Sequence, residues 1–502
     1  MVATDAPALA AFGSSRERFE SVLAFLESAE AAKLGHGELE TALEQQGREL
    51  LRQLYQDHLD LRAHQEVRLQ EVVDAQGVGR GAAEAGHERC LTTVFGDVQV
   101  RRIAYRSRGH DNLYPADGVL NLPTEKHSHG LRRLAAVEAA RDSFDATVEA
   151  VHRASGQRMG KRQVEGLAQQ AAADFVAFYE ARQRPAGDAE DLVVLSCDGK
   201  GVIMRHDALR PVTAEAAANA TTKLPTRLSR GEKRNRKRMA EVGAVYDATP
   251  APRTPSDILP ATDEERSEAA PGPSAKAKWL TASVVDDAAC VVGRIFDEAQ
   301  RRDPDRARTW VALVDGNNHQ IRRIAAESKA RDVNVAIVID FIHVLEYLWA
   351  AAWCFYKEGD PTAEGWVRKH ASTVLAGRAT KVAGAIRRAA TKAGLDPLER
   401  PNAERCAVYL TNKARYLDYP TALKEGWPIA TGVIEGACRH LVKDRMDLTG
   451  ARWGLDGAEA VLKLRALRSN GDFDEYWRYH LARERERLHE SRYANKVIPR
   501  AA

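Results

Sequence analysis

Apolar positions recur at helical spacing between residues 15 and 83. Leu39, Leu43, Leu50, Leu51 and Leu54 fall in a segment broken only by Gly47, so this stretch reads as helices. The texture changes near Cys90. In CLTTVFGDVQVRRIAYRSRG, Val94, Val98, Val100 and Ile103 surround a Gly96-Asp97 turn signal, which predicts a β-hairpin. Helical spacing returns over 130–182 in two runs, 131–153 and 161–181, on either side of ASGQRMG. A pair of this kind is either a helix-turn-helix that docks in a DNA groove or a plain helical hairpin, and the pattern alone does not separate them.

A linker rich in Pro, Gly and Asp at 185–191 closes the helical part. DLVVLSCDGKGV then reads as a strand ending in Asp and two glycines, and a second strand starts at Glu241. Residues 250–278 read as a loop and 282–301 as a helix. RTWVALVDGNN is a third strand, 319–331 a helix and NVAIVID a fourth strand. A mainly helical block follows to about 418, with breaks at Gly359-Asp360-Pro361 and near 394–397, and GVIEGACRHLVKDRM opens a closing helix. Strands alternating with helices predict an α/β fold. The expected organisation is a helical region at 1–88, a hairpin with a helical DNA-binding region at 89–184, and an α/β core at 189–343. A helical stretch at 344–428 and a closing helix with carboxyl-terminal helices at 429–502 complete it.

Composition narrows the class. The 502 residues carry 74 Lys plus Arg against 71 Asp plus Glu, a net charge of +3, so any basic surface is local. No run approaches the ~18 apolar residues of a membrane span. The first twenty residues lack a basic segment followed by an apolar one, so a cytoplasmic protein is expected. The six cysteines lie too far apart for a Cys-x-x-Cys pair, which excludes a zinc ribbon; buried free thiols are expected.

Three acids occupy telling places. Asp198 ends VVLSCD, Asp315 ends WVALVD, and Glu435 lies early in the helix after Pro428. Acids at strand ends project from a sheet edge, where α/β sites form. Grouped carboxylates repel unless a cation neutralises them, and hard oxygen donors suit Mg²⁺ or Mn²⁺. For Asp198 or Asp315 alone, turn chemistry is the better explanation of an Asp-Gly pair, and it is the order strand–Asp, strand–Asp, helix–Glu that lifts the set. Asp340 ends NVAIVID and rivals Asp315 as the second acid, with His343 about one turn further on. Residues 223–238 hold eight cations against Glu232 and suit phosphate neutralisation, with Arg234, Arg236, Lys237 and Arg238 as the densest part. Arg439, Lys443 and Arg445 add positive charge after Glu435.

LSCDGKGV, ALVDGNNHQI, IVIDFIHVLEYLW and TGVIEGACRHLVKDRMDLTGARW together resemble the signature blocks of bacterial insertion-sequence transposases. The likeness is to the Kra-type family within the Mutator-like DDE group, and it spans about residues 90–480. It implies an RNase H-like catalytic domain with a helical insertion before the last acid, and it assigns Asp198, Asp315 and Glu435 to the catalytic places. The Asp340–His343 unit resembles the block that follows the second acid in such enzymes. The implied activity is Mg²⁺-dependent cleavage at transposon ends and joining of the 3′ ends to target DNA. The implied partners are double-stranded DNA, both terminal inverted repeats and target, and a second copy of the chain in the synaptic complex. The implied location is the bacterial cytoplasm, at the nucleoid. The alternatives are an inactive or domesticated relative that only binds DNA, and a metal-dependent nuclease that never joins strands.

Overall fold

The computed structural model describes residues 11–184, 186–219, 236–396, 401–448 and 450–500. It comprises two units, one of residues 1–180 with 472–502 and one of residues 181–471. The last helices of the chain therefore group with the amino-terminal part.

In the first unit, helices Gly13–Glu27 and His36–His64 pack together. The helical reading to residue 83 is too long. The helix stops at His64, and two short strands, β1 (Val72–Val73) and β2 (Gly79–Arg80), pair antiparallel beyond it. Asp74 is the local reason. Its carboxylate accepts from the N–H groups of Gln76 and Val78 and pairs with Arg80 at 2.9 Å, a turn chemistry that competes with helix. The hairpin is present as β3 (Ala82–Thr93) and β4 (Gly96–Arg106), but Val94-Phe95 form its tip. Gly96, with φ of 141°, pairs with Thr93 and is not a turn residue.

The two helical runs of 131–182 are four helices: His129–Arg141, Phe144–Ser155, Lys161–Ala171 and Phe175–Ala181. Ser143 makes one of the two additional breaks by accepting from Ala146 N–H as an N-cap, and the other falls at 172–174. The carboxyl-terminal helix Phe473–Leu488 joins them through buried charges. Arg132 donates twice to Glu484, at 2.6 and 2.8 Å, and His480 Nδ1 lies 2.7 Å from Asp174, which Arg487 also contacts.

The second unit is a mixed α/β structure on a five-stranded sheet. Its strands are β5 (Leu192–Ile203), β6 (Lys237–Ala248), β7 (Ala275–Ser283), β8 (Trp310–Val314) and β9 (Val335–Ile339). The spatial order is β7-β6-β5-β8-β9. The pairs β7/β6 and β6/β5 are antiparallel, while β5/β8 and β8/β9 are parallel. Two expectations change here. β5 does not end at Asp198 but runs on through both glycines, because β6 pairs with all twelve of its residues. The 250–278 loop and the first residues of the expected 282–301 helix contain β7, and the helix begins only at Ala288, capped by Asp287. In β7 the apolar half, Trp279 to Ala282, is buried against β6 by long-range pairing, a signal too short to read along the chain. Gly243 admits this helix to the sheet, since a Cβ there would meet Ile295 at 2.7 Å.

After β9 come helices Phe341–Ala352, Pro361–Leu375, Ala379–Lys392, Pro401–Asn412 and Tyr419–Lys424, then the short helix Gly432–Ala437. Asp360 caps its helix ahead of Pro361, where the break was expected, and a further break falls at 376–378. Among the described residues no helix is long and apolar enough to cross a membrane. None of the six cysteines is in a disulfide; Cys197, Cys406 and Cys438 are buried, but Cys90 and Cys290 are exposed, contrary to the expectation of burial.

One end of the β5/β6/β8 region is held by a buried ionic cluster. Asp247 accepts from Arg302 at 2.9 Å and from Arg308 at 2.6 Å, and Arg308 also donates to the carbonyls of Asp191 and Leu192. Removing one partner of such a cluster strands the others in low dielectric, at a cost of about 3–5 kcal/mol. Asp247→Ala is expected to destabilise the second unit by that amount, read from its urea unfolding midpoint. In the first unit, burial opposes ionisation of Asp174, but hydrogen bonds from His480 and Arg487 outweigh it and bring its pKa down to about 2. A depressed carboxylate pKa stabilises above the unfolded value and is lost as pH falls through the folded one. Unfolding of this unit followed from pH 5 to pH 2 should show that loss between about pH 4 and 2, and Asp174→Asn should flatten it.

Candidate functional site

Strand register places the strand-end acids on neighbouring strands. Ser196 of β5 lies opposite Leu313 of β8, and Val314 of β8 lies opposite Ile339 of β9. Carried one or two residues further, the same register sets Asp198, Asp315 and Asp340 level across three adjacent strands. Asp198 is inside β5, yet it stands just past the last residue paired to β8, so for that neighbour it is at an edge. Asp315 and Asp340 follow the last residues of their strands directly.

Both strand-end candidates also make local bonds to the backbone that follows them, that of Asp315 being a turn bond. Asp198 Oδ1 accepts from Gly199 N–H, and Asp315 Oδ1 accepts from Asn317 N–H at 2.8 Å. Asp315 is anchored through its backbone as well, since Tyr409 donates its hydroxyl to the Asp315 carbonyl at 3.1 Å. Tyr409 stacks on Tyr347 at 4.0 Å between ring centres, with the His343 ring edge-on to both. Lys413 is buried nearby and donates to Asn318 Oδ1. Burial pulls its pKa down while Asp315 works the other way.

Glu435 is exposed, the fourth residue of the helix Gly432–Ala437, which packs against β5 and β6. One turn later Cys438 Sγ donates to Asp198 Oδ2 at 3.3 Å. Burial, then Asp198 and Glu435, push the Cys438 thiol pKa well up, so it stays a protonated donor. Residues Cys438–Lys443 form a π-helical turn immediately after Glu435, a distortion common at functional sites.

Asp340 differs from the other acids. It is 2% exposed, and both its oxygens are engaged, Oδ1 by Ile342 N–H and Oδ2 by the Thr431 hydroxyl. Burial raises its pKa against the pull of those bonds. His343 Nδ1 pairs with Glu346 at 3.1 Å. The half-exposed Asp315 is the better placed of the two rivals for a ligand that arrives from solvent.

The basic candidates separate. Arg234 lies outside the described residues. Arg236 is half-exposed and Lys237 exposed, while Arg238 donates to the carbonyl of Val284 at 2.6 Å and of Ala208 at 3.4 Å. Arg439 and Lys443 are exposed; Arg439 pairs with Asp444 at 3.6 Å rather than with Glu435. Arg445 is a correction. It is 3% exposed and lies over the Trp453 ring at 4.7 Å, so it is a packing residue rather than a phosphate contact.

No family model matches the chain, and no curated protein matches it. The site is therefore read from its own chemistry. Asp198, Asp315 and Glu435 offer only hard oxygen donors. Among the described residues no three His, Cys, Asp or Glu side chains gather at one point. Mg²⁺ does not require that, because it binds through one or two carboxylates and keeps water or phosphate oxygens as its other ligands. The donor set fits.

Sequence reasoning missed Thr431, Tyr409, Lys413, Cys438 and Glu241, because each is brought to the row from a distant segment. Glu241 stands opposite Gly199 in the β5–β6 pairing. Burial raises its pKa, Arg210 opposes, and Asp198 and Asp287 add to the rise. Gly316 did carry a local signal. It has φ of +95°, and a Cβ there would sit 2.7 Å from the Tyr409 oxygen.

Gly316→Ala should cost at least about 1–2 kcal/mol for its backbone conformation alone. Adding Tyr409→Phe should recover only the part due to crowding. Thermal unfolding of the single and double variants separates the two contributions.

Proposed function

We propose that the chain is a DDE transposase similar to the Kra-type insertion-sequence family, with an RNase H-like catalytic domain in its second unit. The observation that carries this reading is the parallel register of β5 and β8, whose last pair, Ser196 with Leu313, stands two residues before Asp198 and Asp315, together with the bond to Asp198 from Cys438, three residues after Glu435. Three antiparallel strands continued by two parallel ones, and a run of helices between β9 and the last acid, support the fold assignment. Asp198, Asp315 and Glu435 are the residues that would hold Mg²⁺ or Mn²⁺. When bound, the ions supply charge stabilisation for the attacking and leaving oxygens of an in-line phosphoryl transfer. Exposed Lys200, two residues beyond Asp198 on the same strand face, brings positive charge to a DNA phosphate beside the acids. The substrate is double-stranded DNA, the transposon ends first and the target second. An enzyme of this kind works on the chromosome in the bacterial cytoplasm, as an assembly of at least two copies.

Recognition of the ends falls to the first unit in this reading. Helices His129–Arg141, Phe144–Ser155 and Lys161–Ala171 pack on one another, and Gly156, with φ of +70°, turns the chain between the second and third. This is helix-turn-helix connectivity, and it leaves Arg153, Arg158, Lys161 and Arg162 exposed around the turn. Gln163 is not a free reader, because its side chain accepts from Gly160 N–H and caps its own helix. Lys161 is paired with Asp145.

The test uses the full chain and DNA from the flanks of its reading frame. Wild type should cleave that DNA with Mg²⁺, and Asp198→Asn, Asp315→Asn and Glu435→Gln should each reduce cleavage to background while leaving DNA affinity intact. Full activity in Asp315→Asn together with loss in Asp340→Asn would move the second metal ligand to Asp340. End binding by wild type without any cleavage would instead mark a DNA-binding relative that has lost catalysis. Arg162→Ala should weaken end binding by about 1–3 kcal/mol if it contacts a base. If it contacts only phosphate, it should lower the salt slope by about one for every sequence.

A further inference from the structure

Thr431 precedes the helix that carries Glu435, where a threonine ordinarily caps the first turn by accepting from a backbone N–H. It does not do so here. Its backbone is at φ −87°, ψ 23°, and its side chain makes no cap bond. Its hydroxyl instead donates its one hydrogen to Asp340 Oδ2 at 2.5 Å, with Glu435 Oε1 a long second acceptor at 3.4 Å, while the Thr431 carbonyl accepts from Glu435 N–H at 3.0 Å; the residue is 6% exposed. A stabilising local bond has been given up for a contact between two acids that lie 95 positions apart in the chain. Neighbouring bonds fix the same junction. Phe341 N–H donates to the Ile429 carbonyl at 2.8 Å, Asp340 N–H to the Val314 carbonyl at 2.8 Å, and the Tyr419 hydroxyl to the Ile339 carbonyl at 2.9 Å. The segment before Glu435 is thus docked on the end of β9, beside β8. Asp340 is held rigidly by these bonds and by its own cap to Ile342, so it gives Thr431 a fixed acceptor.

We propose that Asp340 and Thr431 form a positioning pair for Glu435, setting where its carboxylate stands relative to Asp198 and Asp315, so that Asp340 acts through Thr431 and is not itself a metal ligand. The proposal rests on the metal-dependent reading of the acid row. Partners of this kind around a metal-binding carboxylate affect metal affinity or activity by about 10–100-fold when removed. Thr431→Val keeps the shape and deletes the hydroxyl, whereas Thr431→Ser keeps the hydroxyl.

The experiment titrates Mn²⁺ into the full-length protein without DNA, by calorimetry, and separately measures the Mg²⁺ concentration for half-maximal cleavage. Unfolding in EDTA is recorded for each variant. Thr431→Val should weaken Mn²⁺ binding and raise the Mg²⁺ midpoint by 10-fold or more. Thr431→Ser should stay within about threefold of wild type, the rescue expected when the hydroxyl group is what matters. Asp340→Asn should retain Mn²⁺ binding at a weakened affinity, unlike Asp198→Asn. Wild-type metal dependence in Thr431→Val overturns the positioning role and leaves the transposase reading standing. Equal loss in the Ser and Val variants, with matching loss of stability in EDTA, also overturns it, because the site would then be packing alone. Absence of Mn²⁺ binding and of cleavage in wild type overturns both readings.

Discussion

The register between β5, β8 and β9 is the constraint on which the second unit depends. Parallel strands that share a register place equivalent residues level with one another and on the same side of the sheet. A shift of one residue in either pairing would carry an acid to the opposite face and dissolve the row. Such a shift is resisted at β5 and β8, which are buried on both faces where they pair. Every residue of β8 is buried, and so are the first six residues of β5.

The structure defends this register at both ends. Away from the acids, Arg308 and Arg302 clamp Asp247 of β6 to the start of β5 and the end of the helix Ala288–Arg302. The charges are buried, and full satisfaction of their hydrogen bonds is what makes them tolerable. Beside the acids, the means are different. Tyr409 holds the Asp315 backbone, Cys438 reaches Asp198, and Thr431 donates its hydroxyl to Asp340 while its carbonyl accepts from Glu435 N–H. Each of these groups comes from the helical stretch after β9 or from the segment beyond it. That stretch therefore acts on the acid row even though it adds no strand to the sheet.

Local bonds and long-range ones compete for the same acids. Asp315 makes the turn bond expected of any Asp after a strand and is also part of the row; the two roles use the same residue without conflict. Asp340 has resolved the competition in favour of structure, with both oxygens engaged. Its place after an apolar strand is the same as that of Asp315, which is why reading along the chain left the two acids as rivals. Burial and partners tell them apart, and neither is written in the local sequence.

Apolar strand-length runs that end in Asp are visible in the residues themselves, so β5, β8 and β9 and the acids at their edges were legible. The break at Asp360-Pro361 and the final helix bearing Glu435 were legible too, because capping and proline effects act within a few residues. Pairing partners were not. β7 hides in a polar stretch because only its second half meets β6, and β5 continues past Asp198 because β6 lies alongside its glycines. The hairpin was seen but its tip was misplaced, since Gly96 serves the last pair rather than the turn. Arg445 reads as one more cation in a basic segment, yet its surroundings bury it over Trp453. What can be read along the chain is where apolar strand-length runs, caps and prolines fall and which chemical groups are available, because those depend on neighbours a few residues away. Only the tertiary structure decided which acids stand level, which are exposed and what holds them, because those depend on contacts between residues tens to hundreds of positions apart.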